Sequence, residues 1–162
     1  MATIIPVPAP ATIEVITLKD VKAPISNGGT FTAGSFQTRT LNTLENPQSV
    51  TWVSLLANQF TLQPGTYRIW GAAPAYRVDR HQATLYNITD SVVQIIGSSA
   101  LANSGSLAET NSIIVGVVVL ASAKVFEFQH RCAATKSGDG FGLSAFFGID
   151  DVYATVEITK LA

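Results

Sequence analysis

Residues 60–69 read FTLQPGTYRI, and the order of residue types in that stretch decides the fold class. Phe60 and Leu62 alternate with polar neighbours, as one face of a strand does. Pro64-Gly65 then interrupts the run. Proline removes a backbone donor and fixes φ, while glycine admits a tight turn that a side chain would obstruct. A second alternating run opens at Thr66, with Tyr67 and Ile69 on one side and Trp70 on the other. Tyr67 comes two residues after the glycine, so its ring is expected to point inward against the earlier aromatic. Two strands joined by such a turn, each burying an aromatic, begin a β-sandwich.

The same signal extends in both directions. Ile13 to Asp20 alternates around Val15 and Thr17, and Asn27-Gly28-Gly29 marks a turn. Thr30 to Leu41 alternates around Phe31 and Phe36, and Val50 to Leu56 precedes the opening stretch. Arg77 to Ile88, Val92 to Ile96, Ile113 to Leu120, Val125 to Cys132 and Val152 to Ile158 read as further strands. Gly97 to Ser112 is small and polar and reads as a long surface loop, and Ser137 to Gly140 as a shorter one. No window of helical length carries an i, i+3, i+4 stripe. Short strands between turn signals in a chain of 162 residues predict one all-β domain, an antiparallel sandwich or closed barrel. That domain runs from 13 to 162.

Met1 to Thr12 differs. MATIIPVPAPAT spaces Pro6, Pro8 and Pro10 so that no continuous ladder can form. It is either a loose terminus or an extended arm that attaches the domain to something larger.

Ile113 to Leu120 constrains the assembly. Val115, Val117 and Val119 face one way, while Ile114, Val118 and Leu120 face the other. A strand apolar on both faces needs cover on both, and a two-layer sandwich covers one. Trp70 shows the same pattern beside Tyr67 and Ile69. Val115, Val117, Val119 and Trp70 are therefore the candidate contacts between copies, with loops over the outer face as the alternative. Charged residues are only 13% of the chain, about half the usual share, as expected where surface is uncharged or covered by partners.

The composition argues against other classes. The net charge is −1, with no basic block suited to nucleic acid or an anionic membrane. No apolar run is long enough to span a bilayer, and no leader is visible at the N-terminus. Cys132 is the single cysteine, expected to be buried and inert. His81 and His130 have no diagnostic metal spacing, and read as partly buried groups hydrogen-bonded with Arg80 and Arg131. Asp139, Asp150 and Asp151 lack a calcium-loop pattern. Asn87-Ile88-Thr89 reads as an Asn-containing turn. No nucleophile, phosphate or dinucleotide motif is present, so neither an enzyme, a cofactor nor a resident metal is expected.

The stretch 60–69 resembles the signature of C1q/TNF-like jelly rolls. Leu120 to Phe128 is similar to that family's paired strands around a short turn, and Val152 to Ile158 stands in the place of its closing central strand. Residues 27–34, 38–43, 80–87 and 129–132 resemble distal domains of bacteriophage tail fibres and related virion proteins. The resemblance implies a homotrimeric jelly roll on a virion, made in the host cytoplasm, that recognises a host-cell surface glycan or protein. The loops Pro74 to Tyr76 and Ser137 to Phe141 suit such contact, with Pro74, Tyr76, Asp139 and Phe141 as candidates. The alternative is a decoration or docking protein of capsid or tail, whose partners are other virion proteins reached through the arm.

Overall fold

Alternating runs become strands where their apolar faces can meet. The computed structural model describes residues 12–162; the expected arm, Met1 to Thr12, lies outside the described residues except for Thr12. The strands are β1 (Glu14–Lys22), β2 (Gln37–Thr38), β3 (Thr43–Glu45), β4 (Val53–Leu56), β5 (Gln59–Leu62) and β6 (Gly65–Tyr76). They continue with β7 (Asp79–Asn87), β8 (Val92–Ile96), β9 (Ala100–Ala102), β10 (Glu109–Leu120), β11 (Lys124–Cys132) and β12 (Asp151–Lys160).

One sheet has the order β10-β6-β12-β1-β3, and the other β4-β5-β11-β7-β8, with β2 on β11 and β9 on β7. Every pairing is antiparallel. The chain changes layer between β1 and β2, β2 and β3, β3 and β4, β5 and β6, β6 and β7, β9 and β10, β10 and β11, and β11 and β12. This winding is a jelly roll. β12 lies centrally, between β6 and β1, as the reading of Val152 to Ile158 expected.

Three expectations need correction. Leu120 to Phe128 is not a pair of bonded strands, because β10 bonds β6 while β11 bonds β2, β5 and β7. The turn between them crosses from one layer to the other. Thr30 to Leu41 is not a continuous strand: it holds only β2 and an isolated bridge from Phe31 to Lys136. A positive φ of 110° at Gly34 bends this run across the end of the sandwich, where Phe31 plugs a small core with Ala75, Val78, Ala102 and Cys132. Gly97 to Ser112 is not all loop, since β9 and the start of β10 fall inside it. Ala100 and Ala102 are too small to give a periodic apolar signal, yet Ala102 is fully buried.

The main core fills the space between the layers. Tyr67 is fully buried, as expected, but its ring packs on Trp52, with centroids 5.2 Å apart. Phe60 stacks instead on Phe126 at 5.6 Å. Each large side chain so buried contributes roughly 1.5–3 kcal/mol. The Tyr67 hydroxyl donates to the carbonyl of Gln63 at 2.9 Å, and Trp52 Nε1 donates to Glu14 at 2.7 Å. Both polar tips are thus satisfied at the edge of an apolar core.

Gly65 is required by this arrangement. A Cβ there would lie 2.9 Å from the carbonyl oxygen of Ala162 and 3.0 Å from the Tyr67 hydroxyl, at a φ of +156°. Gly65→Val is therefore expected to lose at least about 2 kcal/mol, lowering the melting temperature by roughly 4–8 °C. A melt displaced by less than about 2 °C would refute this close approach.

Candidate functional site

The outer face of the first sheet carries the apolar residues singled out in the sequence. In β10, Ile114, Val118 and Leu120 are buried, while Val115, Val117 and Val119 are 57%, 57% and 77% exposed. Trp70 is half-buried and pairs with Val115 on one side and Glu157 on the other. The four proposed contact residues thus share one face. Moving toward β12 the face turns polar, through Arg68 and Thr159 in the neighbouring row.

β8, at the border of the opposite layer, carries further exposed apolar residues. Its Val92, Val93 and Ile96 are 47%, 47% and 71% exposed, while Ile95 points inward. A Cβ on Gly116 would meet Ile95 at 2.9 Å, so this glycine lets β8 close against β10. The two edge strands of this flank, one in each layer, thus both carry exposed apolar side chains. Sequence reasoning read Val92 to Ile96 as a strand but singled out only β10 for contacts between copies, although four of the five β8 residues are apolar.

The proposed binding loops need correction. Pro74 and Tyr76 lie within β6, not in a loop, and both are buried. Tyr76 N–H donates to the carbonyl of Gly140 at 3.0 Å. Asp139 and Phe141 do lie in a loop, but they help to close this end of the sandwich. Asp139 pairs with Lys136 at 2.9 Å. Phe141 stacks on Phe31 with centroids 4.3 Å apart, and the Arg39 guanidinium lies 4.2 Å from its ring centre.

Arg39 is the buried charge at that end. It is 1% exposed and donates to the carbonyls of Pro74 and Phe141 at 3.0 and 3.1 Å. Burial lowers its pKa to about 10, partly offset by Asp20 and Glu109, so it stays charged at neutral pH. Beside it, His81 and His130 are almost fully buried, not partly so. Their partners are not Arg80 and Arg131, because alternation sends those arginines to the outer face. His81 Nδ1 lies 2.9 Å from His130 Nε2, and His81 Nε2 lies 2.8 Å from Thr110 Oγ1. The favourable tautomers have His130 Nε2–H donating to His81 and His81 Nε2–H donating to Thr110. His130 Nδ1, which has no partner, is then a bare lone pair. The opposite assignment would strand a buried N–H, the costlier orphan.

The remaining candidates are structural. Burial pushes the Cys132 thiol up to about 11. Asp151 accepts from Ser144 Oγ at 2.8 Å, Ala145 N–H at 3.1 Å and Ser26 N–H at 3.2 Å. Asn87 and Asp90 close a turn through two hydrogen bonds. Among the described residues no three His, Cys, Asp or Glu side chains are placed to share a metal.

Acid should therefore act through the histidines first. Burial, and then the Arg39 charge, lowers His81 from its ordinary 6.5 to about 4 and holds His130 well below 6.5. The unfolded chain thus takes up protons first as pH falls. Stability is full above about pH 6.5 and is lost as pH falls through 6.5 toward 4. Denaturation midpoints are expected to fall between pH 6.5 and 4.5, above the carboxylate range, and His81→Gln with His130→Gln should flatten that slope. An unchanged slope in the double variant would assign the acid sensitivity to other groups.

No protein-family profile matches this chain, and no curated protein matches it in sequence. Solved structures do match its fold. Murine APRIL at pH 5.0 superposes with a TM-score of 0.58 at 10% identity, covering 93% of this chain and 100% of that one. Murine APRIL at pH 8.5 gives 0.53 at 10% identity, with the same coverage. The globular domain of zebrafish complement 1qA gives 0.51 at 15% identity, covering 93% of this chain and 98% of that one. At such identities the likeness concerns fold alone: the chain is a C1q/TNF-like jelly roll.

Proposed function

We propose that this chain is a self-associating binding module of a bacteriophage virion, with three copies around an axis, that recognises a component of the host-cell surface. The apolar flank carries the self-association. Val115, Val117 and Val119 project from an edge strand beside Val92, Val93 and Ile96, and exposed apolar patches of this extent mark interaction sites. Three copies packed around an axis through this face make a heterologous contact, which closes as a ring when the rotation between copies closes on itself. The phage setting is supported by the sequence resemblance of residues 27–34, 38–43, 80–87 and 129–132.

A second function, as a decoration or docking protein, is favoured by the spacing of Pro6, Pro8 and Pro10 beside Ile4, Ile5 and Val7. An extended proline-rich peptide costs little entropy to fix along a partner. Whether purified protein binds host cells or binds particles lacking it distinguishes the two.

Sedimentation should give a trimer at micromolar concentration, and Val117→Glu should release folded monomers, because three carboxylates would be buried near the axis. A wild-type monomer, or a trimer that survives the substitution, would contradict the assembly. Deleting residues 1–11 should leave trimer and melting temperature nearly unchanged. Loss of the trimer would instead make that segment part of the assembly itself.

A further inference from the structure

The outer face of the second sheet holds a concavity of about 450 Å³. Its lining includes Phe36, Arg80, Gln82, Ser99 and Arg131. Register explains why the two arginines meet there. Gln82 pairs with Arg131 and His81 with Cys132, so Arg80 and Arg131 are diagonal neighbours, roughly 7–8 Å apart along the sheet. Both are exposed, whereas His81 and Cys132 between them point inward.

Two guanidinium groups so placed repel each other unless an anion lies between them. No carboxylate of the described residues takes that place, and neither arginine forms an ion pair within the described residues. The nearby acids are engaged elsewhere. Asp79 accepts from Ser104 N–H at 2.8 Å. Glu127 is held by Thr38, Gln59 and Gln129 at 2.8, 2.9 and 2.8 Å.

The walls are fixed. Phe36 immediately precedes β2, whose Gln37 and Thr38 pair with His130 and Gln129, and so it stands next to Arg131. On the other side Gln82 Nε2 donates to the carbonyl of Gly97 at 2.8 Å. Gly97 N–H donates to Ala83 at 2.9 Å, which seats Ser99 at the rim. The Gln82 side-chain oxygen and the Ser99 hydroxyl remain available for hydroxyl groups.

We propose that this concavity binds a carboxylate-bearing saccharide, a hexuronate unit of a surface polysaccharide. The inference deepens the binding function proposed above and rests on it. A planar carboxylate fits two guanidinium forks, and the apolar face of a sugar ring fits the exposed edge of Phe36. A nucleic acid or polyphosphate asks for a longer basic track than two arginines in a chain of net charge −1.

The test uses the full chain, titrated with D-glucuronate, D-galacturonate, D-glucose and inorganic phosphate at constant ionic strength. A uronate should bind, and glucose and phosphate more weakly. Arg80→Gln and Arg131→Gln should each weaken uronate binding at least about tenfold with an unchanged melt, and Arg131→Lys should not restore it. Equal binding of uronate and glucose, phosphate binding as tight as uronate, or uronate binding by the double Gln variant would overturn the proposal. Attachment to host cells is measured separately. Uronate binding by a chain that ignores those cells would remove the host-recognition function and leave the carboxylate site standing. Cell attachment undiminished in the double variant would remove the carboxylate site as the recognition element and leave the function standing.

Discussion

Arg39 brings a full positive charge into the end of a jelly roll, and the closure of that end depends on how the charge is satisfied. A buried, unpaired cation costs several kcal/mol. Here two backbone carbonyls and an aromatic face surround it: Pro74 at the end of β6, Phe141 in the loop before β12, and the Phe141 ring. Chain segments that are distant in sequence are thereby tied to one guanidinium. Phe31 stacks on Phe141 from the other side and touches His130, with ring centroids 4.7 Å apart. The segments meet because each satisfies part of the same charge.

The same charge dictates the state of its neighbours. An imidazolium beside a desolvated guanidinium would be a second buried cation, so the histidine pair stays neutral and spends its donors on His81 and Thr110. This explains why the only two histidines of the chain sit together without any metal-ligand pattern around them. The same closure engages the residues expected in binding loops. Pro74, Tyr76, Asp139 and Phe141 are committed to closing the sandwich, and their exposed atoms are what that task leaves over.

Much of the architecture was legible because it rests on periodicity. Alternation located β1, β5, β6, β7, β10, β11 and β12, and Pro64-Gly65 located the crossing from β5 to β6. The two-faced character of β10 was equally legible, since Val115, Val117 and Val119 need cover that one core cannot give. Sheet membership was not legible. Nothing local tells whether the turn between Leu120 and Lys124 joins bonded neighbours or crosses between layers, because both connect antiparallel strands with a few small residues. β9 was missed because alanines pack without contrast. The histidine partners were missed for a different reason. Arg80 and Arg131 each stand next to a histidine in sequence, but alternation sends neighbours to opposite faces, so His81 and His130 meet on the inner face of the sheet while the arginines lie on the outer one.

That division extends to the whole molecule. Each sheet contributes one face to the common core, and the two remaining faces differ in chemistry. Along β10 the exposed residues are Val115, Val117 and Val119, which a second copy can cover and water covers poorly. On β7 and β11 they are Arg80, Gln82, Gln129 and Arg131, which a second apolar surface could not cover without stranding two guanidinium groups. Association through the first surface therefore leaves the second facing outward in every copy. If three copies gather about an axis, three arginine pairs are presented around the particle, and weak single-site contacts then add through avidity instead of through a tighter pocket. A shallow, open concavity is compatible with such an arrangement, because repetition of a site raises overall affinity without any new contact.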